Sequence, residues 1–173
     1  MTNTITARVF APTLDAAQAA AVVRAKAPAF RSTAARLRWH PFAGFVYRVE
    51  HPLIRLTGRP QRAYTLVDRL SGSAALTDPW PPLGELTEEQ RGECVADPGW
   101  NSVDLDEARF RAKRLVATAT MRRNRLSRAA EITEIGAYET LWKPNWLLTG
   151  RLGDRELTVL VDGLSGGYYV VGT

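Results

Sequence analysis

Two carboxylates stand in nearly identical settings. Asp68 lies in "LVDRLSG" (66–72) and Asp162 in "LVDGLSG" (160–166). Paired carboxylates across a cleft are the arrangement for general acid–base catalysis. The spacing favours another use. Each Asp precedes a Ser by three residues and a Gly by four. A tight turn needs an acceptor for neighbouring amides at the first position and a residue tolerant of positive φ at the last. Both carboxylates are therefore read as turn residues. Ser71 and Ser165 sit in the same turns and lack the G-x-S-x-G surroundings of a nucleophile elbow. His40 and His51 are the only histidines, each followed by proline. Glu50 adjoins His51, but strand neighbours point to opposite faces. Both histidines are read as structural. No His, Cys, Asp and Glu set has metal-ligand spacing, so no metal is assigned. "SGSA" and "SGGYY" open no helix and are not phosphate loops, so no cofactor is assigned. Cys94, the single cysteine, excludes an intramolecular disulfide and reads as an idle thiol.

The remaining residues of interest suit binding. Trp39, His40 and Phe42 come from "WHPF", and Trp142 from "WKPN", with Trp146 just beyond. These five are assigned to a ligand- or partner-binding groove, aromatic with arginine at its rim, between two halves of the molecule. Trp80 and Trp100 are read as pins of a linker. The stretch "RFRAKRLVATATMRRNRLSR" carries Arg109, Arg111, Lys113, Arg114, Arg122, Arg123, Arg125 and Arg128. Its last four arginines form the alternative site, a face for polyanions such as nucleic acid. The preferred reading is the solvated back of an amphipathic helix, which carries no aromatic residues interleaved for base stacking.

These residues need elements to hold them. "APTLDAAQAAAVVRAKAPAF" predicts a helix over 13–27, capped by Thr13, with Leu14, Ala17, Ala21 and Val22 at helical spacing and Pro28 as its stop. "SVDLDEARFRAKRLVATATMRRNRLSRAA" predicts a second, longer helix. Ser102 or Asp104 caps it, and Leu105, Ala108, Ala112, Leu115, Val116 and Ala119 form its apolar stripe. Alternation predicts strands through Phe45, Tyr47 and Val49, then "RAYTLVD" and "SAALTD". After the second helix, strands are predicted at about 131–139, 141–150, 155–162 and 167–171. Between the two sets, "DPWPPLGELTEEQRGECVADPGWNS" is proline-rich and reads as a linker with a short helical turn at "TEEQRGE".

The order helix, Trp-x-Pro, strands, Asp-x-x-Ser-Gly turn, strand occurs twice. The fold class expected is α+β, with two repeated units, each one helix on an antiparallel sheet of three to four strands. The boundaries are 1–79 for the first unit, 80–102 for the linker and 103–173 for the second. "LVDRLSG" and "LVDGLSG", each following a helix that begins with "LD", resemble the ending of the PepSY-type domain, with Ser where Thr is common. The resemblance implies a cystatin-like arrangement of a helix against an antiparallel sheet. It also associates the chain with propeptides, protease inhibition and sensing modules.

The chain has 173 residues, 45 % of them hydrophobic, and a net charge of +5, with 20 arginines among its 23 Lys and Arg residues. Such a balance supports acidic partners but says nothing about fold. No apolar run approaches the roughly 20 residues of a membrane span. The opening residues lack the pattern of a secretory signal, so a cytoplasmic location is expected. The function expected is non-catalytic. It is a binding or accessory module for a peptide, protein or small apolar ligand, working through a sheet edge or the groove between units. The alternatives are nucleic-acid binding by the arginine-rich helix and an enzyme whose residues converge only in the folded chain.

Overall fold

The computed structural model describes residues 4–51, 60–94, 103–123 and 130–172. The elements run β1 (Thr4–Phe10), α1 (Ala16–Lys26), β2 (Phe30–Glu50), β3 (Gln61–Asp68), β4 (Ala74–Thr77), β5 (Leu83–Gly84), α2 (Glu88–Glu93), α3 (Leu105–Arg123), β6 (Glu131–Leu152), β7 (Arg155–Asp162) and β8 (Tyr168–Gly172). All eight of these strands belong to one sheet, in the order β4-β3-β2-β6-β1-β5, with β7 added to β6 and β8 to β7. This corrects the expected fold class. Strand dominates, and two repeated helix-on-sheet units are not what the chain forms.

Two long strands each carry a proline. Pro41 was expected to precede its strand but lies inside β2, which runs for 21 residues; Pro144 falls within the expected strand 141–150, which joins the one expected at 131–139 as β6, 22 residues long. A proline in a strand removes one donor and leaves its carbonyl usable. Here that carbonyl is used. Pro41 O accepts the Arg69 amide at 3.3 Å, and Pro144 O accepts the Gly163 amide at 2.9 Å. β1 and β5 were not anticipated, while α2 forms where a short helical turn was expected, at "TEEQRGE", capped by Thr87.

The chain divides into two compact units. The described residues within 1–8, 41–85 and 96–141 form the first; those within 9–40, 86–95 and 142–173 form the second. These interleave along the chain and do not coincide with the successive blocks 1–79 and 103–173. Each helix packs on strands that the sequence reading had given to the other helix. In the first unit, Ala108, Ala112 and Val116 of α3 meet Phe45, Tyr47 and Val49 of β2 and Val67 of β3. In the second, Ala19, Ala20 and Val23 of α1 meet Leu148 of β6 and Val159 and Val161 of β7. The predicted stripe of α3 is the one buried. That of α1 was out of phase, for Ala17 and Ala21 are exposed. An alanine-rich helix carries too little contrast in hydropathy to mark its inner face.

The two Asp turns match bond for bond. Asp68 Oδ1 accepts the Leu70 amide at 2.8 Å and Oδ2 the Ser71 hydroxyl at 2.9 Å; Asp162 does the same with Leu164 at 2.9 Å and Ser165 at 2.8 Å. Gly72 (φ 72°) and Gly166 (φ 74°) close the turns in the left-handed region. Each turn also docks the start of a helix. Arg69 O accepts the Val103 amide at 3.1 Å, and Gly163 O accepts the Thr13 amide at 2.9 Å. Thr13, expected as the cap of α1, therefore anchors that segment to the turn, its hydroxyl donating to Gly163 O and Leu164 O. The cap itself is Asp15, in a capping box with Gln18. Asp104 caps α3 through the Glu107 amide at 2.7 Å, while Ser102, the other candidate, lies outside the described residues.

The two turns differ electrostatically. Burial pushes the Asp162 carboxyl up, but the hydrogen bond and charge of Lys143, 2.6 Å away, together with the Leu164 amide and the Ser165 hydroxyl, outweigh it and hold the carboxyl below its usual range. A carboxyl depressed in the folded state contributes stability above its unfolded pKa of about 3.9 and loses it as pH falls through the folded value. Asp68→Ala and Asp162→Ala are expected to cost about 0.5–2 kcal/mol each in chemical unfolding, as lost caps do. Asp162→Asn is expected to flatten the acid limb of stability below about pH 4. Urea unfolding of wild type and this variant from pH 2 to 7 checks this.

Candidate functional site

The first unit's sheet has one face on α3 and another that carries aromatic residues. Alternation along β3 decides which residue goes where. Thr65 and Val67 are buried, Val67 in the core beneath α3, while Arg62 and Tyr64 leave by the opposite face. The register places Val46 opposite Tyr64, Arg48 opposite Arg62, and Tyr64 opposite Thr77 of β4. Just past β4, Trp80 is bracketed by Pro79, Pro81 and Pro82, whose fixed φ angles stiffen the backbone that carries it. Its indole Nε1 donates to Thr77 Oγ1 at 3.0 Å. The ring stands edge-on between two tyrosines, 5.5 Å from Tyr64 at 66° and 5.5 Å from Tyr138 of β6 at 77°. Such edge-to-face pairs are favourable beyond the area they bury. Gly44 of β2 makes room for this ring, since a Cβ there would stand 2.8 Å from Trp80 Cη2.

Tyr64, Trp80, Tyr138 and Arg62 line a groove of about 420 Å³, together with Val46, Gly136, Pro81, Leu83 and Ile135. The size falls in the range of small-ligand sites. Among the described residues no carboxylate lines it, and Arg62 is the one charged residue that does. A second cavity of about 240 Å³ lies in the same unit near the end of α3, lined by His51, Gln61, Thr77, Val116 and Thr120. His51 is buried there.

The five residues assigned to binding from the sequence are placed elsewhere. Trp39 is 1 % exposed; it packs with Val9 and Trp142, and its indole donates to Glu93 Oε2 at 3.1 Å. His40 Nδ1 lies 2.8 Å from the Asn145 amide nitrogen. Phe42 is half-buried opposite Asp68. Trp146 donates to Leu14 O at 2.8 Å and packs against the core beneath α1. The structure thus brings Trp39 and Trp142 together as core and spreads the others. Of the polyanion candidates, Arg122 is exposed on α3 and Arg123 ends that helix, while Arg125 and Arg128 lie outside the described residues, as does Trp100. Earlier on α3, Arg109 is engaged by Asp106 and Glu134, and Arg111 by Glu107 and Gly72 O. Those two cations already have acceptors within the fold.

Trp80, Tyr64, Tyr138 and Arg62 were missed as a site. The alternation Arg62-x-Tyr64 and the prolines around Trp80 were visible, but Tyr138 is 74 residues from Tyr64 and only the sheet order joins them. Among the described residues, no three of His, Cys, Asp and Glu are grouped to hold a metal ion. Cys94, read as an idle thiol, is half-buried, donates to Gln90 O at 3.3 Å, and is pushed up to about 11 by burial, helped by the charge of Glu93. At pH 8 a thiol with that pKa is roughly 0.1 % thiolate, against about a quarter for a free one. Labelling with a disulfide reagent at pH 8 is therefore expected to be at least tenfold slower in the folded protein than in urea.

Comparison with protein-family models, curated proteins and solved structures returned no match. Among the described residues, no helix is long and apolar enough to cross a membrane.

Proposed function

We propose that the chain is a non-catalytic binding module whose site is the aromatic groove of the first unit. The ligand would be a flat apolar group of a small molecule or of a peptide side chain. The observation that carries this reading is the Tyr64–Trp80–Tyr138 set. Three large rings are held in fixed edge-to-face geometry around an open groove rather than packed away in the core. Rings held this way lose little conformational freedom on binding, which lowers the cost of association. The groove lies on a sheet face within one unit, which replaces the expected groove between halves. A cytoplasmic setting belongs to the same proposal, supported by a lone thiol that needs no oxidising compartment.

A second reading follows the other route expected from the sequence, strand addition at a sheet edge. β8 is bonded to β7 alone among the described strands, and Tyr169, Val170 and Val171 on it are half or more exposed. An extended peptide could add there by main-chain hydrogen bonds.

The two readings separate under mutation. Titration with 2-naphthol, followed by the NMR signal of the Trp80 indole N–H, is expected to shift that signal selectively. Trp80→Ala is expected to weaken 2-naphthol binding at least tenfold, about 1.4 kcal/mol. Replacing Val170 with Lys is expected to leave it unchanged. If Trp80→Ala binds the probe as wild type does, the groove is not the site.

A further inference from the structure

We infer that the ligand of this groove is an aromatic ring bearing an anionic substituent, a carboxylate or a phosphate, with Arg62 as its anchor. The inference rests on the groove being the binding site and adds the charge of what it takes.

The strands force two cations together. Arg48 and Arg62 are direct cross-strand partners on β2 and β3, so both side chains leave the same face. Like charges in that position repel. Arg48 is relieved by Glu50, with Nε to Oε1 at 3.1 Å. Among the described residues Arg62 has no ion-pair or hydrogen-bond partner, and it is exposed at the groove. A guanidinium offers five donors in a planar fork that matches a carboxylate or phosphate, and no acceptor.

The rest of the groove agrees with an anion. The Tyr64 and Tyr138 hydroxyls have no hydrogen-bond partner among the described residues, so both can donate. Among the described residues no Asp or Glu lines the groove to compete for the guanidinium. Arg62 and Tyr64 are two apart on one strand, so their side chains emerge about 7 Å from each other. That separation suits a ligand whose ring lies against the tyrosines and tryptophan and whose acidic group sits at the ring's edge.

Three probes sharing one ring system test the charge. 2-Naphthamide is neutral, 2-naphthoate carries a carboxylate, and 2-naphthyl phosphate carries a phosphate. Affinities are measured by isothermal titration calorimetry with wild type, Arg62→Gln and Trp80→Ala, each first shown to be folded by circular dichroism. At least one anion is expected to bind tenfold or more tightly than the amide. In Arg62→Gln that advantage is expected to vanish while the amide binds as before, and Trp80→Ala is expected to lose all three. The better anion identifies the acidic group. If the amide binds as well as both anions and only Trp80→Ala loses binding, the anion is overturned and the groove stands. If no probe binds wild type, the groove reading fails and the anion with it. An anion advantage that persists in Arg62→Gln overturns the anchor.

Discussion

A carbonyl on each of two prolines organises this molecule. Pro41 and Pro144 cannot donate to a strand ladder, and a proline in mid-strand ordinarily ends it. Here each proline's oxygen receives the amide that follows the turn aspartate, Arg69 for one and Gly163 for the other. That bond seats an Asp-x-x-Ser-Gly turn beside the proline, and the turn in turn receives the first amides of a helix segment. Strand, turn and helix start are thereby fixed by one short chain of main-chain bonds. Gly163 shows how tight the arrangement is, because a Cβ there would stand 2.7 Å from the Pro144 oxygen.

The two turns solve the same problem with different neighbours. At the first, the residue after the aspartate is Arg69, 3 % exposed, whose guanidinium donates to the carbonyls of Val103 at 2.7 Å and Glu139 at 2.8 Å. Burial lowers its pKa, with Glu139 and Asp104 opposing. A buried cation satisfied by carbonyl oxygens ties turn, helix approach and β6 together in the first unit. At the second turn glycine stands in that place and the charge is supplied instead by Lys143, on Asp162 itself. Losing either cation would leave buried acceptors unsatisfied, which costs more than the bond contributes when made.

The candidate site follows from how the first unit divides its sheet faces. Small residues on α3 let the helix sit close on Phe45, Tyr47 and Val67. That packing commits one side of β2 and β3 to the core. The other side must then present whatever the strands' alternate positions hold, and those are Val46, Arg62 and Tyr64. Trp80 covers Gly44 and leaves the rest open. Tyr47, by contrast, lies on the helix side. Burial, reinforced by the charge of Glu134, holds its phenol well above the usual range, so it stays neutral and donates to Arg109 O.

The sequence by itself determined what local chemistry decides. The Asp-x-x-Ser-Gly turns, the glycines at positive φ, the cap at Asp104, the buried stripe of α3 and the strands "RAYTLVD" and 155–162 were all legible. Each depends on residues within a few positions of one another. It did not determine the length of β2, because whether a proline ends a strand depends on a distant amide coming to its carbonyl. It misjudged the inner face of α1, where alanine on every side hides the partner. It left the surroundings of Trp39, Trp142 and Trp146 open, since tryptophan type and spacing say nothing about which side of a sheet a ring meets. Only the tertiary structure decided which strands each helix would cover. Trp39 and Trp142 pack together with Val9, Trp146 is half-buried against the core beneath α1, and Tyr64, Trp80, Tyr138 and Arg62 line an open groove, because residues far apart in the chain become neighbours only through strand order.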